Sequence, residues 1–595
     1  MVRKEIDVDV QPMEDILKYN AEYMIPLYQR DYSWKHDDHV EEFWIDLKNH
    51  YEQKLRTPYF FGTFMLVNEK ETDETYTVVD GQQRLTTTIM LLTAFRDYFK
   101  QIGDDEQVEQ LDKYLTTEDD QRQRLHVNVY NQPYFDNAIL PAGNITEKIA
   151  RLEKGEDSSK YQQRVQDKLL KNSYILLAKK ITEYKKDEEN KDLETIALKD
   201  NFLRYFTIVL NYIIDLQKAY VIFENINNKG LHLAQSDLVK NHLMKTIDTQ
   251  SSGMSKGERR NLIIQADEKW QEIRRIVEQT KKKENEYLRW YLIAFVQTAA
   301  KEEVYSTIKE KYKTKEQVEE FLDDLEKRVH NLRKIISPEL RDWNDDQDTV
   351  DYLNALGKLS LGAMYPILLI AMEKITDKRE MKQLIILVTK LFFRSKTVCS
   401  RNYSAIEGLV GDICKKFRSP EETTVKEIRN MIVAYTPVYP DDEEFKVMFR
   451  NLQLPDSKAN YALSEIHYQM IGGRDSATMR ISNKAQVEHI MPQTIKGTKW
   501  QVEIDEKHGF TNDTERAEYK KANLNKIGNL TLLNDKKNKK NSNNPFSEKK
   551  IIYARDDLKM TKELSDIAKW DDDAISLRQD NFLPLALQIW NLKDN

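Results

Sequence analysis

Glu488 and His489 stand side by side in the short apolar run AQVEHIMPQ, and Asn529 and Asn538 follow in GNLTLLNDKKNKKN. Hydrolysis of a phosphodiester needs a base for water, a cation facing the charge on phosphate and leaving oxygen, and a frame fixing both. Histidine suits the first need because its unperturbed pKa lies near neutrality. Oxygen donors from Glu488 and Asn538 suit the second, with Mg²⁺ or Mn²⁺ as the cation. Successive strand residues point to opposite faces, so both can serve one site only if a twist or bulge re-aims one of them. Taken singly, His489 is more simply a hydrogen-bonded strand histidine, and the asparagines are turn caps. The joint pattern favours a nuclease. Lys536, Lys537, Lys539 and Lys540 flank Asn538 as candidates for phosphate contact, with an exposed, solvated run as the equal alternative. Trp500 is expected in the core rather than under a base.

A second group lies in VVDGQQRLTT, residues 78–87. Where a strand ends and a helix begins, free N–H groups and the helix dipole favour an anion. Arg84 adds a forked donor in the first turn. Gly81 lets a ligand approach the backbone, Gln82 and Gln83 follow it, and Thr86 and Thr87 bring hydroxyls. Asp80 and Gln83 are equally a helix-capping pair that needs no ligand. Tyr28, Gln29 and Arg30, in IPLYQRDYSW, are candidates for touching DNA or nucleotide, although Tyr28 serves as well in a core.

These residues need elements to position them. YFFGTFMLV and TYTVVD carry the β-branched and aromatic content of strands, and RLTTTIMLLTAFRDYF has helical spacing. From about 105 to 450 the pattern is mainly helical, with apolar stripes in YLRWYLIAFV and LIILVTKLFF separated by Lys/Glu-rich segments. Beyond 480, a strand running into a proline turn, a helix and a second short strand follow. The fold class expected is α+β and predominantly helical.

With 595 residues the chain exceeds one core. Four regions are expected: 1–105, 106–245, 246–440 and 441–595. The formal charge of −7 excludes a chain coated in basic residues but leaves room for a local basic groove. The two cysteines, Cys399 and Cys414, are too few for a disulfide framework, and no apolar signal segment opens the sequence, so a cytoplasmic protein is expected. LGAMYPILLIAMEKI is too short to cross a bilayer.

The C-terminal group resembles the HNH, or ββα-metal, nuclease motif. That resemblance implies His489 as general base, Glu488 and Asn538 as metal ligands, and Asn529 as the residue that ties the hairpin loop together. IPLYQRDYSW and VVDGQQRLTT, with a third block from Phe223 through Asn227, Gly230, Leu233, Asp237, Leu238 and Lys240 to Asn241, resemble the GmrSD-type modification-dependent restriction enzymes. The resemblance implies a ParB/sulfiredoxin-like N-terminal α/β domain, a helical middle and a C-terminal HNH domain. It further implies that Asp80, Gly81, Gln82, Gln83, Arg84, Thr86 and Thr87 bind and hydrolyse a nucleoside triphosphate, GTP before ATP or CTP. The expected partner is modified double-stranded DNA, with a homodimer also allowed. A non-cutting DNA-binding NTPase or adaptor, and a ribonuclease or toxin, are the alternatives.

Overall fold

Eight strands form among the described residues: β1 (Ile6–Pro12), β2 (Glu22–Met24), β3 (Tyr59–Val67), β4 (Thr75–Asp80), β5 (Leu125–His126), β6 (Phe206–Ile213), β7 (Ala485–His489) and β8 (Leu530–Asn534). The helices that position the sites are α1 (Gln82–Ile102), α2 (Ile145–Lys154), α3 (Val165–Glu183), α4 (Gln347–Lys358), α5 (Tyr365–Lys374), α6 (Asp456–Met470), α7 (Asp513–Asn523), α8 (Phe546–Tyr553) and α9 (Asp572–Ile589). The computed structural model describes residues 6–26, 29, 31–68, 74–117, 122–128, 131–156, 165–184, 190–213, 235–251, 253–360, 362–474, 481, 485–534 and 543–593. The architecture is mostly helical with a small mixed sheet, compatible with α+β. It divides into two compact units, Met1–Glu268 with Ile308–Glu319, and Lys269–Thr307 with Glu320–Asn595.

In the first unit six strands lie in the order β1-β6-β3-β4-β2-β5. β1 and β6, and β3 and β4, pair antiparallel; the other neighbours are parallel. The register between β3 and β6 slips between Phe60 and Gly62, and Gly62 has a φ of +130°. This bulge has a use, because a Cβ on Gly62 would meet the Arg84 guanidinium.

α1 is buried along its whole middle, from Leu85 to Phe99. Several polar residues survive there because they find partners, although the fully buried Thr88 hydroxyl has none among the described residues. Thr86, Thr87 and Thr93 donate their hydroxyls back to the carbonyls of Gln82, Gln83 and Ile89. The Asp97 carboxylate accepts from Lys148 Nζ on α2 and Tyr174 OH on α3, both at 2.6 Å. A buried charge left without such partners would cost several kcal/mol, roughly 3–5 when one member of a pair is lost.

The second unit is helical around one hairpin. α5 is buried from Tyr365 to Ala371, and Pro366 sits in its first turn, where a missing N–H costs nothing. Among the described residues no helix is long and apolar enough to cross a membrane. β7 and β8 pair antiparallel, with Glu488 opposite Thr531 and His489 opposite Leu530.

Candidate functional site

The hairpin holds His489 almost fully buried, 7% exposed. Its Nε2 meets Asn525 Oδ1 at 3.1 Å. That oxygen can only accept, so the contact assigns a ring hydrogen to Nε2, and in the neutral ring Nδ1 would carry the lone pair. Asn525 arrives there because the segment after α7 pairs with the segment before α6: Gln453 bridges Lys526, Leu454 N donates to Asn525 O, and Ile527 N donates to Leu452 O. The same pairing sets Asp456, first residue of α6, with its carboxylate 4.0 Å from the His489 ring and largely open to solvent.

Asn529 locks the turn that follows His489. Its Oδ1 accepts from Met491 N and Trp570 Nε1, and its Nδ2 donates to the carbonyls of Met491 and Leu524. All four capacities of a fully buried amide are used. Next to it, Gly528 touches α9 so closely that a Cβ would lie 2.1 Å from the Ile575 carbonyl. Arg578 then donates to the carbonyls of Gly528 and Leu530, and Gln579 accepts from Gly528 N.

Glu488 goes the other way. Strand alternation turns its side chain into the core, where Oε1 accepts from Lys549 Nζ at 2.7 Å and from Tyr553 OH at 3.1 Å, both on α8. Lys549 also donates to the His489 carbonyl. Burial pushes the Glu488 carboxyl up and the Lys549 ammonium down, and their contact opposes both shifts. No bulge re-aims Glu488 toward the imidazole; the side chain expected, with Asn538, to be a metal ligand stands in this structure in a buried ion pair with Lys549. Asn538, the second expected ligand, and Lys536, Lys537, Lys539 and Lys540 lie outside the described residues. Among the described residues no three His, Cys, Asp or Glu side chains gather as a metal site, and near His489 the carboxylate on hand is Asp456. Glu488 thus does not fit a divalent ion at the imidazole.

The N-terminal turn has its own geometry. Gly81 ends β4 in the left-handed region, φ +92°, and a Cβ there would strike the Phe64 ring at 2.4 Å. Glycine is therefore required by packing as well as by the backbone. No side chain caps α1, and its first turn carries no acidic residue. Asp80 Oδ1 accepts from Gly81 N. Arg84, half-buried, lies over Gly62 with Nη1 3.4 Å from Thr63 O.

Gln83 does not form the capping pair with Asp80. Its Oε1 accepts from Ser33 N at 2.8 Å and its Nε2 donates to Asp31 O, so it latches residues 31–33 onto α1. Thr87 is fully buried against Tyr32 OH, and Thr86 is nearly so, which withdraws both hydroxyls from a ligand in this arrangement. Gln29 is likewise a correction to the DNA-reading expectation: it is 3% exposed and donates to Val79 O. Tyr28 and Arg30 lie outside the described residues, as does the block from Phe223 to Leu233. Trp500 is in the core, its indole donating to Asn544 O.

Sequence reading missed Asn525, Asp456 and the Lys549–Tyr553 pair. One cue was present for the last, since Lys549 and Tyr553 are spaced i, i+4 in FSEKKIIY and so share a helix face. Two family models match the chain: one described as GmrSD restriction endonuclease, N-terminal domain, over residues 13–244, and one described as GmrSD restriction endonucleases, C-terminal domain, over residues 439–585. No curated protein matches it.

Proposed function

The chain belongs to the GmrSD restriction endonuclease family, a restriction endonuclease acting on modified DNA, and from that premise we propose that His489 is its general base. The observation that carries this reading is a buried imidazole whose Nε2 is held by Asn525 beside a turn fixed by Asn529. In the proposed step Nδ1 takes a proton from water as its oxygen bonds to phosphorus; the bond from phosphorus to the sugar oxygen breaks, and that oxygen takes up a proton from solvent as the DNA strand leaves. Asn525 acts through His489 as a positioning residue. The ββα-metal character of the 441–595 region and its dependence on Mg²⁺ or Mn²⁺ belong to this proposal, and the residues described around His489 do not by themselves supply a ligand set.

The test is cleavage of a panel of unmodified, hydroxymethylated, glucosylated and phosphorothioated duplexes, with Mg²⁺, Mn²⁺ or chelator. Wild type is expected to cut at least one modified duplex, and His489→Ala to lose about 10²–10⁴-fold in rate, the usual worth of a general base. Equal cutting by both proteins, or a preference for RNA, would sink the assignment.

For the N-terminal turn we propose nucleoside triphosphate binding and hydrolysis that regulates cutting, within a ParB/sulfiredoxin-like region. The support is an uncapped 21-residue helix start, a left-handed glycine and the neighbouring Arg84. Phosphate release from GTP, ATP and CTP should fall at least about tenfold in Arg84→Ala, the effect of losing one charge-assisted contact of roughly 1.4 kcal/mol or more.

A further inference from the structure

Helix α6 connects His489 to a second feature. Asp456, Asn460, Ser464 and Tyr468 recur every four residues and so share one face of that helix. Asp456 lies beside the His489 ring, and the other three line a groove of about 620 Å³ between α4 and α6. Asn460 fixes the groove to the hairpin, donating to the carbonyl of Ala485, the first residue of β7, while its Oδ1 accepts from Lys358.

The walls are polar and carry charges of both signs. The Arg474 guanidinium stacks on the rings of Tyr352 and Tyr468, 4.7 and 4.4 Å from their centroids. Its charge is answered by Asp348, Asp351 and Glu465. Donors and acceptors thus face the groove without a net cationic field, which disfavours a phosphate and favours an uncharged polar group. The volume falls within the roughly 300–1,000 Å³ of small-molecule sites in general. Along α6, Ser464 is about 12 Å from Asp456 at ~1.5 Å per residue, the length of three or four base steps at ~3.4 Å each. A base in a stacked duplex cannot enter a side groove; an extruded one can.

We propose that this groove receives an extrahelical nucleobase with its polar substituent, a few base steps from the phosphate that His489 faces. The proposal rests on the nuclease reading of His489 and adds where the modification is read. Asn354, exposed on α4 at the groove, allows it to be filled without disturbing the core.

The experiment places 2-aminopurine next to a 5-hydroxymethylcytosine or its glucosylated form in a duplex and uses the full-length His489→Ala protein. Fluorescence should rise at least threefold on binding and stay flat with His489→Ala/Asn354→Trp, while anisotropy shows duplex affinity within about threefold. In the otherwise wild-type background, Asn354→Trp should cut modified duplex at least tenfold more slowly, with an unchanged melting temperature. Lys358→Ala, also exposed, should weaken discrimination between modified and unmodified duplex by at least threefold. A persistent fluorescence rise, or wild-type cutting of modified duplex by Asn354→Trp, overturns the groove assignment and leaves the nuclease reading standing. Cutting by His489→Ala itself removes the reading on which the proposal depends.

Discussion

Asn525 offers the imidazole an acceptor and nothing else, and substitution can separate that acceptor from the volume around it. Asn525→Asp keeps an oxygen in place, whereas Asn525→Leu keeps the bulk and removes the acceptor. The expected outcome is a kcat within about fivefold of wild type for the aspartate and a loss of at least tenfold for the leucine, at unchanged KM, in single-turnover cleavage of modified duplex. Equal losses in both would assign Asn525 to packing alone. The two glycines that bracket α1 form a second contrast. Gly81 and Gly103 both have positive φ, but only Gly81 faces a ring where its Cβ would go. Gly103→Ala should therefore cost about 1–2 kcal/mol, the left-handed penalty. Gly81→Ala should cost roughly 2–5 kcal/mol because overpacking adds about 1–3. Denaturant midpoints of the two variants measure the difference, and equal costs would mean that Phe64 yields freely. Residue types in the sequence announced the imidazole and a glycine turn at 81, but not the Phe64 ring that makes glycine necessary there. They did not announce Asn525, whose approach depends on two distant segments pairing at Gln453 and Lys526.

The strand–turn–helix at 75–102 and the hairpin strands were legible because their periods are local. Where Glu488 would point was legible only as a condition: alternation separates it from His489 unless a bulge intervenes, and the β7–β8 register runs without one. The partner on the far face could not be read off, because α8 reaches it from 61 residues away. That pair carries its own prediction. Lys549→Met strands a buried carboxylate and should cost about 3–5 kcal/mol, whereas Glu488→Leu with Lys549→Met should recover most of the loss. Additive losses in a thermal or chemical melt would contradict the pairing. The start of α9 is governed by a more exposed cluster, with Asp572 accepting from Lys507 at 2.8 Å and meeting His508 at 3.0 Å. Partial burial pulls the Asp572 carboxyl up, but the bonds from Lys507 and His508 prevail and hold it at about 2. Its folded pKa is below the unfolded value of about 3.9, so its contribution is complete above about pH 4 and is lost as pH falls toward 2. Asp572→Asn should remove that part of the acid dependence of stability; an unaltered acid profile would count against it.

At the scale of the whole molecule, the nucleotide site proposed for the N-terminal unit and the cutting site proposed for the C-terminal unit would influence each other only through a shared free energy. Such coupling is reciprocal: if a nucleoside triphosphate changes the Kd for modified duplex by some factor, the duplex must change the Kd for nucleotide by the same factor. Paired titrations on the His489→Ala protein are expected to show equal factors of at least threefold, with both falling to unity in Arg84→Ala. Unequal factors would point to a second nucleotide site. The grip of α9 on the hairpin also closes late in synthesis. Arg578 reaches the Gly528 carbonyl from 50 residues downstream, and Trp570 reaches Asn529 from 41. While a ribosome is still making that stretch, the emerging protein already contains the histidine but lacks the clamp that sets it. The turn after His489 therefore stays unclamped until the last segment has emerged, and a chain ended between the two would lack that clamp.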